Sequence, residues 1–193
     1  MQKIPLVLLM LSAANTVSAA DAIDVQFKGT LTNPTCTASF TGTTGTDLHF
    51  PTLKASDFSS LHDGDVVSST AVPGYLKFTA CGAGVAGVTI QFVGSAVAES
   101  GFQGKASYFI ASGSTVSSRL GLALFKTSTD TSAANAIDLK GPAERFALTS
   151  LVKEGNDYKY NVFGRIVVAS ADYALFNSLG NLTASGVINI GYE

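Results

Sequence analysis

Apolar and polar residues alternate along most of this chain, which is typical of strands with one buried face. The clearest case is the segment 23–31, where one parity holds Ile23, Val25, Phe27, Gly29 and Leu31. The other parity holds Asp, Gln, Lys and Thr. The segment therefore predicts a strand. We expect it to end at 33–34, an Asn-Pro pair, because proline donates no ladder hydrogen bond and restricts the residue before it.

The same alternation recurs in short runs separated by turn residues. It predicts further strands at 35–40, 48–50, 75–80, 88–93, 108–110, 120–125, 146–151, 158–168 and 182–192, with a polar loop at 54–65. The last strand has Leu182, Ala184, Gly186, Ile188, Ile190 and Tyr192 at its even positions. Short strands at this spacing favour an all-β sandwich. No repeat or linker divides the chain, so we expect one folded domain.

The first nineteen residues have the order of a secretory signal peptide. Lys3 supplies a positive charge, an apolar run covers 4–14, and Val17 and Ala19 suit the positions before a cleavage point. The apolar run is shorter than the roughly 20 residues that span a bilayer. We therefore expect cleavage after Ala19 and export of a soluble chain, with a buried N-terminal helix as the alternative.

Export changes the interpretation of the two cysteines. Cys36 and Cys81 are the whole cysteine content of the sequence. An even pair in an oxidising compartment predicts a disulfide, and two buried free thiols are the alternative. The sequence also has only 2 histidines. It therefore offers few of the ligands that a zinc or copper site needs.

Charge argues against polyanionic partners. The formal net charge is −2, and charged residues make up 13% of the chain. Nucleic acids and anionic membranes require a basic face, so we expect neither as a partner.

Catalytic motifs are weak or incomplete. A serine nucleophile needs a base in reach, but neither His49 nor His62 lies near a GxSxG elbow, because the sequence has none. Ser150 and Lys153 form an isolated SxxK match. We expect no catalytic residue and no enzymatic activity.

Cofactor and metal motifs are equally weak. The segment 82–87 matches GxGxxG, but an alternating β-branched run follows it where a dinucleotide site needs a helix. Asp63 and Asp65 lack the further acids of a calcium loop. We expect neither a cofactor nor a metal.

Five features in order resemble the subunits of chaperone–usher fimbriae, the type 1 and P-pilus-like family. An exported start leads into the alternating segment 20–31, and a Pro-x-Cys follows at 34–36. A second cysteine ends the strand 78–81, and Gly180 lies fourteenth from the end. The final strand alternates and places Tyr192 next to last. The resemblance covers essentially the whole mature chain.

The resemblance implies an incomplete immunoglobulin-like sandwich that lacks its last strand and carries an N-terminal donor-strand extension. The implied domains are a signal peptide at 1–19, the extension at 20–33 and a pilin domain at 34–193. The implied donor residues are Ile23, Val25, Phe27, Gly29 and Leu31. The implied acceptor groove and chaperone contacts are Gly180, Leu182, Ile188, Ile190 and Tyr192.

The family also implies partners and a location. A periplasmic chaperone first lends the missing strand, and at the outer-membrane usher the extension of the next subunit replaces it. The chain is then a shaft or minor subunit of a cell-surface fimbria that supports adhesion, without inserting into the membrane itself. Two alternatives remain. The segment 22–31 is the first strand of a closed sandwich, or the chain is an exported lectin that binds sugar through Tyr75 and Tyr108.

Overall fold

The computed structural model describes residues 24–31, 36–94, 108–110, 120–132, 135–139, 141–168 and 183–193. The strands are β1 (Asp24–Leu31), β2 (Thr37–Thr41), β3 (Asp47–His49), β4 (Val72–Thr79), β5 (Gly87–Gly94), β6 (Tyr108–Ile110), β7 (Leu120–Phe125), β8 (Glu144–Ala147), β9 (Val152–Glu154), β10 (Asp157–Val168) and β11 (Thr183–Tyr192). Short 3-10 turns lie at Ala55–Phe58, Ser68–Thr70 and Leu148–Ser150. The all-β prediction is confirmed.

The strands form two sheets. The first has the order β3-β1-β11-β5-β8, and the second has the order β2-β4-β10-β7-β6, with β9 paired to β10. The pairings are antiparallel except that β1 runs parallel to β11. The main core contains residues of both sheets, including Phe78, Leu122 and Val162 from the second and Ile90 and Ile188 from the first.

Strand β7 is buried on both faces, which explains its continuous apolar sequence. Leu122 and Leu124 belong to the main core, whereas Ala123 and Phe125 join a second cluster with Val167 of β10. This second cluster is covered by segments that make isolated bridges, Val66 to Val167 and Phe125 to Ala136.

A buried arginine holds those covering segments on β10. Arg165 donates from Nη1 to the carbonyl oxygen of Ser68 at 3.3 Å and from Nη2 to that of Ser128. Burial lowers the pKa of the Arg165 guanidinium. Beside it, the Thr70 hydroxyl donates to the Val67 carbonyl at 2.6 Å and accepts from the Ile166 amide at 2.9 Å.

Two glycines of the second sheet make room for side chains from β3 and its flank. A Cβ at Gly164 would lie 2.8 Å from Cζ of Phe50 and 3.0 Å from Cδ1 of Leu48. A Cβ at Gly74 would lie 2.8 Å from Cδ2 of Leu48. Leu48 is fully buried. We call Gly74 and Gly164 the glycine hollow, because together they admit Leu48 between the sheets.

Cys36 and Cys81 form a disulfide, as predicted. It joins the residue before β2 to the end of β4, two strands that are paired in the second sheet. Ala80 precedes Cys81 with a φ of 50°, in the left-handed region that alanine rarely adopts. Cys36 is buried in the main core.

One predicted strand is interrupted. The segment 146–151 was predicted to be continuous, but β8 ends at Ala147 and a 3-10 turn at Leu148–Ser150 separates it from β9. The Ser150 hydroxyl donates to the Ala147 carbonyl at 2.7 Å, so it competes with a strand at this point. The predicted loop at 54–65 also contains a turn, at Ala55–Phe58, which buries Phe58.

We expect Gly164→Ala to lower the free energy of unfolding by about 1–3 kcal/mol, because the added methyl group must displace Phe50 and Leu48. Gly84→Ala is the matched control, since a Cβ there meets nothing within 4 Å. It should change stability by less than about 0.5 kcal/mol. Urea unfolding checks both variants, and equal stabilities would contradict the packing at the glycine hollow.

Candidate functional site

The N-terminal strand lies inside the first sheet, between β3 and β11. All eight residues of β1 are in register with β11, from Asp24 beside Thr183 to Leu31 beside Ile190. On its other side, β1 pairs with β3 only through Asp24–Gln26. We call this position, between β3 and β11, the β1 slot.

In this register, the apolar positions that the sequence predicts for β1 lie beside those that it predicts for β11. Val25, Phe27, Gly29 and Leu31 are the partners of Ala184, Gly186, Ile188 and Ile190 respectively. All four of these β11 positions are buried. The predicted donor residue Ile23 lies outside the described residues.

At two positions of this pair, a bulky residue lies beside a glycine. Phe27 is beside Gly186, and Gly29 is beside Ile188. Neighbouring positions in a sheet lie on the same face, so a glycine next to a bulky residue leaves space for it. At these two positions, the sequences of β1 and β11 are therefore complementary in residue size in the register observed.

Other strands depend on the β1 slot being filled. Within the described ranges, β3 pairs with the first sheet only through β1. Without β1, the inner edge of β11 would present unpaired N–H and C=O groups beside Ile188 and Ile190. Such an edge is a template for another strand.

The predicted acceptor residues are placed as follows. Ile188 is 1% exposed and Ile190 is 6% exposed, so both face the core. Tyr192 is half-buried and packs against the core, and its pKa is raised by burial. Its hydroxyl is buried and has no hydrogen-bond partner within the described ranges. Gly180 and Leu182 lie outside the described residues.

The end of β11 is held by contacts that the sequence analysis missed. The main-chain oxygen of Glu193 accepts from the amides of Ala86, at 2.6 Å, and Gly87, at 3.2 Å. The Glu193 carboxylate also contacts Nε of Arg145. Gly87 belongs to the GxGxxG match and starts strand β5. No sequence motif indicates these contacts, because they join residues more than 40 positions apart.

The remaining sequence candidates do not converge on one site. His62 is exposed and lies 3.4 Å from an oxygen of Asp65, measured from Nδ1. That same oxygen accepts from the His62 amide at 2.7 Å, so the pair closes a turn. No group of three His, Cys, Asp or Glu residues suited to a metal occurs among the residues that the structure describes.

Tyr75 and Tyr108 are the two residues through which the lectin alternative would bind sugar. Tyr75 lies under the ammonium group of Lys159, whose Nζ is 4.4 Å from the ring centroid. That face of the ring is therefore covered. Tyr108 is in β6, and its side chain lies outside the described part of the structure.

Comparisons with known proteins give no family for this chain. No protein-family model matches it, and no curated protein matches it. No helix within the described ranges is long and apolar enough to cross a membrane.

We expect Tyr192→Phe to raise the free energy of unfolding at pH 7 by about 1 kcal/mol, because it removes a buried hydroxyl without a partner and keeps the ring. Burial raises the Tyr192 pKa, so the unfolded chain loses this proton first. The contribution of the Tyr192 proton to the free energy of unfolding is therefore present below about pH 10. It is lost as the pH rises through the folded-state pKa of Tyr192.

Urea unfolding at pH 7 and above pH 10 checks this prediction. Tyr192→Phe should lose less stability between the two conditions than the unmodified chain. Tyr158→Phe controls for the removal of a tyrosine elsewhere in the core. A Tyr192→Phe variant that is clearly less stable at pH 7 would show that the hydroxyl has a partner.

Proposed function

We propose that this chain is a structural subunit of a surface fimbria that polymerises by donor-strand exchange. The fold would then be an immunoglobulin-like sandwich whose last strand is supplied by an N-terminal extension. The observation that carries the proposal is the β1 slot, which the first strand of the chain fills along eight residues of β11. The five sequence features of fimbrial subunits supply the rest of the support.

The position of β1 in the chain supports its exchange between copies. It precedes Cys36, and the disulfide lies in the other sheet. No described element has to move through another for β1 to leave. A second copy could then place its own β1 in the slot, as in domain swapping.

Strand direction supports an exchange between copies. Within the chain, β1 is parallel to β11. Parallel pairs are slightly less stable per residue than antiparallel pairs. A strand from another copy is free to enter in the opposite direction, and it would gain the better hydrogen-bond geometry.

An empty slot would need protection. Four large apolar donor residues would contribute on the order of 6–12 kcal/mol by burial, before ordering is subtracted. An open slot would expose the apolar face beside Ile188 and Ile190. This fits a periplasmic chaperone and an outer-membrane usher as partners of an exported subunit.

A closed, exported lectin is the competing function. The observation in its favour is the location of β1, which completes the sheet of its own chain. The two functions differ in whether β1 of one copy can enter another copy.

We expect a chain that lacks residues 20–31 to regain stability from a synthetic peptide of the same residues. Adding the peptide during refolding should raise the melting temperature by more than about 10 °C, because it restores the β1–β11 pairing. A Phe27→Asp peptide should lose this effect. A Lys28→Asp peptide is the matched control, since Lys28 has the opposite parity and its partner Val187 is exposed.

Exchange between copies requires a second measurement. The intact chain and the chain lacking 20–31 are refolded together, and their complexes are sized by light scattering. A fimbrial subunit forms mixed dimers and longer chains, and Phe27→Asp in the intact chain abolishes them. If the mixture stays monomeric at every concentration although the peptide binds, β1 serves only its own sheet and the closed lectin is favoured.

A further inference from the structure

A cleft separate from the β1 slot opens between the two sheets at the β8 edge. It has a volume of about 150 Å³, and residues of β5, β8 and β10 line it. β8 is the last strand of the first sheet, whereas β10 lies at the centre of the second.

The inner wall of the cleft is aromatic. The Phe146 and Tyr160 rings have centroids 4.8 Å apart, and the Phe92 and Tyr160 rings are 6.3 Å apart. Phe92 is 2% exposed and Tyr160 is 8% exposed, so they form the floor. Phe146 is half-buried and lies nearer the surface.

A buried tyrosine lies on this floor. Tyr160 is more than nine-tenths buried and lines the cleft. Burial is the main cause that raises the Tyr160 pKa, and the charge of Glu144 adds to it. The hydroxyl is therefore present as a neutral group that can donate and accept.

The rim of the cleft has two carboxylates and a loop that is held in place at Gly141. Asp138 and Glu144 line the cleft. Gln91 donates from Nε2 to the Gly141 carbonyl at 2.9 Å and accepts from Asn189 at 3.2 Å. These bonds hold Gly141 against β5 before any ligand arrives.

The charges favour a neutral ligand. Nζ of Lys126 lies 2.5 Å from a Glu144 oxygen and 5.8 Å from the centroid of the Phe146 ring. The cation position over the aromatic wall is therefore already occupied within the chain. An incoming ammonium group would be repelled there, whereas neutral hydroxyls can still donate to the carboxylates.

We propose that this cleft binds one hydroxylated six-membered ring of a saccharide. A cavity of this volume holds a six-membered ring. The aromatic wall would contact the C–H face of the ring, and Tyr160, Glu144 and Asp138 would bond its hydroxyls. The proposal is independent of strand exchange and holds for a fimbrial subunit or a closed sandwich.

The test is an NMR titration of the full chain with the methyl glycosides of glucose, galactose and mannose. A single ring has few atoms, so we expect dissociation constants of about 1–10 mM. The amide shifts should cluster on β5, β8 and the residues near Gly141. Tyr160→Phe should weaken binding about tenfold, because it removes one hydroxyl and keeps the ring.

Tyr158→Phe is the matched control, since Tyr158 is on the same strand but does not line the cleft. Its binding should stay within about twofold of the unmodified chain. Glu144→Gln, at a half-exposed side chain, provides a second variant that should also weaken binding. Tetramethylammonium is titrated as a cationic probe.

The proposal is overturned if none of the glycosides shifts the cleft residues at these concentrations. It is also overturned if Tyr160→Phe and Glu144→Gln bind as the unmodified chain does. Tighter binding of tetramethylammonium in the same cleft would equally contradict a neutral ring as the ligand.

Discussion

The parallel pairing of β1 with β11 is the interaction on which the first sheet depends. It joins Asp24 to Thr183, 159 residues further along the chain. Contacts at such separations form late, because the entropy of closing a long loop must be lost before they stabilise the fold. Until β11 is synthesised, β1 can pair only with β3, through Asp24–Gln26. An N-terminal strand with an apolar parity and a late partner is exposed to other edges, and this exposure makes pairing between copies plausible on physical grounds.

Two glycines of the second sheet make room for the side chain by which β3 packs on that sheet. Leu48 is the register partner of Val25 in β1, and its own side chain lies between Gly74 and Gly164 of the second sheet. β3 therefore connects the two sheets, through β1 on one side and the glycine hollow on the other. If β1 leaves, β3 keeps only its packing on the second sheet and its local turn. The hollow thus retains β3 near the slot, where it can pair with whichever strand enters next.

Much of the fold could be predicted from local patterns, and the parts that could not depend on residues far apart. Period-two alternation located β1, β5, β10 and β11 closely, because a strand with one buried face carries that pattern in its own residues. The disulfide followed from the even cysteine count and the expected export. The direction of β1 relative to β11 has no local code, since either direction buries the same parity. The turn that ends β8, the amides that hold Glu193 and the cleft beside Tyr160 likewise appear only when separate segments meet.

The filled slot sets a condition on any exchange between subunits. A strand tethered to its own domain by a short segment has an effective concentration of about 1 mM. A strand from another copy at about 1 µM is then at a thousandfold disadvantage, which corresponds to about 4 kcal/mol. The better hydrogen-bond geometry of an antiparallel pair must supply this difference, or a partner must hold the slot open before the chain's own β1 enters. Under the proposed fimbrial function, a chaperone strand placed beside β11 would keep the slot open until the strand of the next subunit arrives, and would so remove this disadvantage.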